Sequence, residues 1–328
     1  MKLQAAPLTI LSVALCAGAL AATQAGAQSY PAKPIRVIVP FPAGGTSDIL
    51  TRMIGAELTK AWGQQILADN RPGANGNIGV ELLVRSAPDG YTLILMDVGN
   101  LTISPSVFHK LPFDILRDMA PVSMVSYSSH LLSAHPSVPA RTVKELIALA
   151  KQQPGKLNYS TGLGGAPHFA GMLFAQRAGI QWTYVPGKGG TQSMLTVITG
   201  ECDVLFLGML QSLHHAKSGK VKALAVSSDK RDPALPDVQT VGETPGLEGF
   251  VTGSWQGVLA PARTPPELVA RLNAEMVRII QLPEFRERLS SQGTTPLPMS
   301  PPEFGKWLAE QKDRWAKLVK DTGFKLDN

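Results

Sequence analysis

Ala43-Gly44-Gly45-Thr46-Ser47-Asp48 is the part of this sequence best suited to do chemistry. The two glycines permit a turn that side chains would resist, and Thr46, Ser47 or Asp48 supplies an N-cap for a following helix. A strand–glycine turn–helix junction aims unpaired backbone N–H groups and the positive end of a helix dipole above the strand. A carboxylate or phosphate suits that place. The loop has no Lys and lacks the GxxxxGK[ST] spacing, so an anion here is held by backbone dipoles without lysine or magnesium. The alternative is a plain βα turn that binds nothing. A second candidate is Thr161-Gly162-Leu163-Gly164-Gly165-Ala166-Pro167-His168. It begins like a dinucleotide fingerprint, but Pro167 stands where the third glycine belongs. His168 falls in the first turn of the next helix, either as a satisfied surface imidazole or as a hydrogen-bond donor to a ligand.

Other chemistries find no residues. The chain has no GxSxG elbow and no HExxH motif. His214 and His215 are adjacent on an expected helix, so they point apart and make no two-ligand metal face. No catalytic residue, metal or cofactor is predicted. The basic residues are scattered without an aromatic-lined stripe, which disfavours nucleic acid as a partner.

The elements that position the two glycine loops are short apolar strands alternating with capped helices. Ile35–Val39 reads as a buried strand stopped by Pro40 and Pro42, followed by a helix to about Trp62. Strands are also expected at 65–68, 91–96, 156–160, 182–185, 204–207 and 221–227. Helices are expected at 78–86, 142–153, 167–178, 191–199, 266–281 and 302–322. Repeated βα units give parallel sheets with ligands beyond the carboxyl ends of the strands. The expected fold class is α/β with two lobes, each a Rossmann-like sheet flanked by helices. Two glycine loops facing each other across a cleft would form a closing trap for a small anion.

Residues 1–27 read as an export signal. Lys2 is followed by the apolar run Leu8–Ala22 and by Ala25-Gly26-Ala27, an A-x-A site, so cleavage is expected after Ala27 and the product is exported. Leu15 before Cys16 argues against lipidation. Removing this segment leaves 301 of 328 residues, with 30 basic against 25 acidic side chains, a balance of +5 that steers anions only weakly. Cys202 is then the lone cysteine, read as a small buried hydrophobe.

Several motifs together resemble the Bug family, the periplasmic substrate-binding proteins of tripartite tricarboxylate transporters. They include Tyr30-Pro31-Ala32-Lys33-Pro34-Ile35, Pro40-Phe41-Pro42-Ala43-Gly44-Gly45, Asp48 with Arg52, and Asn70-Arg71-Pro72-Gly73-Ala74. Ala87-Pro88-Asp89-Gly90-Tyr91-Thr92-Leu93, Leu111-Pro112-Phe113-Asp114, Pro236-Asp237-Val238 and Leu259-Ala260-Pro261 extend the resemblance along nearly the whole chain. It implies two α/β lobes joined by crossing strands around a cleft for a carboxylate-bearing solute, delivered to membrane transporter subunits. The lobes would run over 28–128 and 129–250, with 251–328 returning to the first. The resemblance implies ligand contacts from Phe41, Ala43, Gly44, Gly45, Thr46, Ser47 and Asp48 on one side. Thr161, Gly162, Gly164, Gly165 and His168 would supply the other. Two departures bear on selectivity. Gly187 stands where the family usually has Tyr, leaving room for a larger or aromatic acid, and Asp97 adds an anion suited to a zwitterion. An exported sensor reporting to a membrane partner, or a carboxylate-acting enzyme, are the alternatives to a transport receptor.

Overall fold

Runs of Ile, Val and Leu too short for helices and bounded by Gly or Pro become the inner strands, because a strand covered on both faces is apolar throughout. The computed structural model describes residues 30–322, 324 and 326. The expected export signal and its cleavage site lie outside the described residues. Ten strands are found among these residues. They are β1 (Ile35–Val39), β2 (Ile66–Asn70), β3 (Thr92–Asp97), β4 (Met119–Ala134), β5 (Asn158–Thr161), β6 (Thr183–Pro186), β7 (Val204–Gly208), β8 (Lys222–Val226), β9 (Gly253–Pro261) and β10 (Thr295–Pro296).

The strand order is β2-β1-β3-β9-β4-β7-β5-β6, with β8 and β10 also on β4. β1 pairs in parallel with β2 and β3, and β5 pairs in parallel with β6 and β7. The antiparallel β4 joins these two halves. Its residues from Met119 to Ser129 pair with β9, and those from His130 to Ala134 pair with β7. Residues Lys33–Asn328 accordingly cohere as one unit, since a single strand runs through both halves. Each half has its own apolar core. Ile38, Ile94, Met124, Leu259 and Phe304 anchor the first, and Leu132, Tyr159, Phe174, Phe206 and Phe250 the second.

The helices that bear on the site are α1 (Thr46–Trp62), α2 (Asn77–Val84), α3 (Val98–Val107), α4 (Val143–Gln152), α5 (Ala166–Ala178), α6 (Gly190–Ile198) and α7 (Met209–Lys217). Sequence patterning locates the βα units to within a few residues but misses β4, β9 and α3. β4 carries a run of serines, and α3 contains Gly99, four β-branched residues and Pro105, all weak local helix signals. Both are stabilised by burial between elements distant in sequence. Cys202 is free and buried. No described helix is long and apolar enough to cross a membrane.

Candidate functional site

The first glycine junction turns from β1 into α1. Gly44 adopts φ +78°, and Gly45 N–H closes the turn on Pro42 O at 3.3 Å. Asp48, in the first turn of α1, reaches back to accept the Gly44 N–H at 3.0 Å and pairs with Arg52 at 3.0 Å. Burial works to raise the Asp48 carboxyl, but the bonds from Arg52, Gly44 and Asn70 outweigh it and hold the group below the usual carboxylate range. No side chain caps α1, so the first amides at Thr46 and Ser47 are left open.

The second junction, from β5 into α5, repeats this backbone. Gly164 again has φ +78°, Gly165 N–H bonds Gly162 O at 3.3 Å, and His168 Nδ1 accepts the Gly164 N–H at 3.2 Å. The brace alone recurs before α6, where the N-cap Gly189 itself has φ +127° and Gln192 Oε1 accepts the Lys188 N–H at 2.7 Å. In each case the third helical side chain holds the residue before the N-cap and leaves the helix start uncapped. Away from these loops, α4 shows ordinary capping: Thr142 Oγ1 accepts from Glu145 N–H at 3.2 Å.

The uncapped starts of α1, α5, α6 and α7, at Gly45, Gly165, Gly189 and Gly208, all line one cavity of about 410 Å³. It lies beyond the carboxyl ends of β1, β3, β5 and β7, where parallel sheets present ligand sites. Phe41, Leu163, Phe206 and Leu207 give it apolar wall, and among the described residues Lys188 and Asp97 are the only Lys, Arg, Asp or Glu that line it. Hydrogen bonds cross between the two halves at its rim. Asn75 Nδ2 donates to Gly164 O at 3.0 Å and Ala166 N–H donates to Asn100 Oδ1 at 2.8 Å, while within the first half Asn100 Nδ2 donates to Asn75 Oδ1 at 3.0 Å and ties the two together.

Of the residues singled out from sequence, Phe41, Gly45, Thr46, Ser47, Asp97, Thr161, Gly162, Gly165 and Gly187 line the cavity. Ala43, Gly44, Asp48, Gly164 and His168 are not among its lining residues, and each has a local task instead. Gly44 and Gly164 form the turns that Asp48 and His168 brace, and Ala43 O accepts from Thr191 Oγ1 at 3.4 Å. His168 corrects the expectation of a ligand donor. Its ring is buried, sits edge-on against Tyr184 and Phe324, and is pushed down to about 4 by burial. At Gly187 a Cβ would come within 2.6 Å of Ser193 Oγ, so any side chain at this cavity-lining position requires the Ser193 hydroxyl to move.

Asp97 lines the cavity but its oxygens are engaged. Oδ1 caps α3, accepting from Gly99 N–H at 2.8 Å and Asn100 N–H at 3.4 Å, and Oδ2 accepts from the Ser254 hydroxyl. Burial pushes its carboxyl up to about 6 against the pull of these bonds. Its oxygens are thus taken up by donors of the protein, so it does not stand in the cavity as the free counter-charge expected for a zwitterion. Sequence inspection missed Asn75, Asn100, His130, Ser254 and Gln256, all of which line the cavity. His130 Nδ1 lies 3.1 Å from Thr252 Oγ1, and burial pushes the ring down to about 3. No group of His, Cys, Asp and Glu among the described residues could hold a metal ion.

A cavity at the strand ends of two linked α/β halves, walled by helix N-termini and apolar side chains, defines the class of two-lobe solute-binding proteins. The family description "Tripartite tricarboxylate transporter family receptor" (TctC) matches residues 50–324. The chain belongs to this family. It is 33% identical to BugT of Bordetella pertussis over 321 residues, covering 97% of this chain and 98% of that protein. Its fold matches an R. palustris protein solved with adipate at TM-score 0.87 and 31% identity, over 90% of this chain and 99% of that one. MatC of Rhodopseudomonas palustris, solved with bound malate, matches at TM-score 0.82 and 30% identity, over 88% of this chain and 100% of that one.

Proposed function

We propose that this solute receptor captures a small carboxylate in the cavity and hands it to the membrane subunits of a tripartite tricarboxylate-type transporter. The observation that carries this is the uncapped start of α1, where the Thr46 and Ser47 amides and hydroxyls meet the cavity beside apolar walls. Gly45, Thr46 and Ser47 form the carboxylate grip. Phe41, Thr161, Gly162, Gly165 and Gly187 complete the wall. The halves act as lobes over 28–128 and 129–250, with 251–328 returning to the first, and ligand binding draws them together about β4. The protein works in the periplasm after loss of residues 1–27, and it binds without turnover.

A thermal-shift screen of adipate, malate, succinate and citrate against the matching amides tests the binding role, because a ligand of the native state raises Tm by mass action. At least one carboxylate should raise Tm while its amide does not. Stabilisation by amides and acids alike would overturn the carboxylate assignment, and chemical change of the bound compound would overturn the non-enzymatic one.

A further inference from the structure

Four buried polar side chains that line the cavity form one hydrogen-bonded row from α1 to the end of β3. Ser47 Oγ donates to Gln256 Oε1 at 2.7 Å, Gln256 Nε2 donates to Ser254 Oγ at 3.0 Å, and Ser254 Oγ donates to Asp97 Oδ2. The row has a direction, and Asp97 sets it. The single hydroxyl hydrogen of Ser254 points to Asp97 Oδ2, whose neighbour Oδ1 is held as an acceptor by the Gly99 and Asn100 N–H groups. Ser254 then accepts from the amide nitrogen of Gln256, which turns the amide oxygen toward Ser47. The hydroxyl hydrogen of Ser47 is taken by that oxygen, leaving lone pairs for any other partner.

We propose that Asp97, acting through Ser254 and Gln256, fixes the Ser47 hydroxyl as an acceptor toward the cavity and so makes the site prefer a 2-hydroxy or 2-amino carboxylate over the unsubstituted acid. This rests on the assignment of the α1 start as the carboxylate grip. A carboxylate on the Thr46 and Ser47 amides brings its neighbouring carbon beside Ser47 Oγ. A hydroxyl or ammonium on that carbon donates to the waiting lone pairs, whereas a C–H leaves them without a partner. Asp97 is a positioning residue here, since its own oxygens are already satisfied.

The test uses matched pairs, succinate with malate and adipate with 2-hydroxyadipate, titrated by calorimetry at pH 7.5. The wild-type protein should favour the hydroxy acid in at least one pair by on the order of tenfold. Asp97→Asn keeps an acceptor for Gly99 and Asn100, and Asn is a good N-cap. Its NH2 group then faces Ser254 and reverses the row, so that Ser47 donates into the cavity and the preference disappears or inverts. Ser47→Ala, at the other end of the row, should abolish the preference without touching the α3 cap, and it serves if Asp97→Asn fails to fold. Equal affinity within both pairs for the wild-type protein would overturn the proposal and leave the carboxylate receptor standing. A preference that survives in both variants would also overturn it. Failure of every acid to bind would strike at the carboxylate assignment itself and remove this proposal with it.

Discussion

The junctions at Gly44–Asp48 and Gly164–His168 share backbone angles, turn hydrogen bond and brace, yet they present different chemistry to the cavity. At the first, Thr46 and Ser47 keep their amides and add hydroxyls, and the brace is a carboxylate balanced by Arg52. At the second, the Ala166 N–H goes to Asn100, Pro167 has no N–H to give, and the brace is a buried neutral imidazole. One junction is a grip and the other is a clamp between the halves. A glycine turn before a helix thus marks where donors could stand, and the neighbours decide whether they are free.

The largest expected effect separates the braces by acid. The His168 imidazole ionises at 6.5 in the unfolded chain and at about 4 in the native state. Between these values the unfolded chain binds a proton that the native state refuses, so stability present above pH 6.5 is lost as pH falls toward 4. His130, pushed down to about 3, acts in the same sense. Asp97 opposes them, because its native group near 6 holds a proton that the unfolded chain, at 3.8, has released. Asp48, held low, gives its contribution up only at more acid pH. His168→Asn keeps an acceptor for the Gly164 N–H and should reduce the stability lost between pH 7.5 and 4 by up to about 3 kcal/mol. Urea denaturation at the two pH values measures it, and equal losses in mutant and wild type would show that the second brace is not the acid-sensitive one.

Next in size is the difference between the two turn glycines. A Cβ on Gly44 meets open space, so Gly44→Ala should cost only the left-handed backbone strain, roughly 1 kcal/mol. A Cβ on Gly164 falls 2.5 Å from Leu326 Cδ1, so Gly164→Ala adds a clash to the same strain and should cost roughly 2–4 kcal/mol. Paired unfolding curves decide it, and equal costs would remove the packing difference between the junctions. The smallest effect sharpens the distinction between grip and clamp. Pro167→Ser restores an N–H and a hydroxyl at the position matching Ser47, and should tighten carboxylate binding by roughly two- to fivefold. Calorimetry showing weaker binding would mean that the second junction is not limited by missing donors.

The βα units were legible because their signals are local. Glycines with positive φ, prolines that stop strands, and apolar runs of fixed length all act within a few residues. β4, with its serines, and β9, with two glycines and a glutamine, were not legible, since these antiparallel strands owe their burial to partners far along the chain. The same limit hid half of the site. Asn75 and Asn100 look like loop polarity until the fold sets them against Gly164 and Ala166. The sequence likewise does not show that Ser193 Oγ stands beside Gly187, within 2.6 Å of where a Cβ would sit.

The sequence by itself determined where the chain turns around the βα units, where their helices begin to within a few residues, and that two glycine junctions of one design recur. It also carried the motifs of the family. Only the tertiary structure decided which junction has free donors and how the Ser47 hydroxyl is turned. Hydrogen-bond partners are set by proximity in space, and Ser47 and Gln256 are 209 residues apart, Asp97 and Ser254 157. A buried donor or acceptor must find a partner wherever the fold brings one, so the chemistry a residue offers is a property of its neighbours as much as of its type.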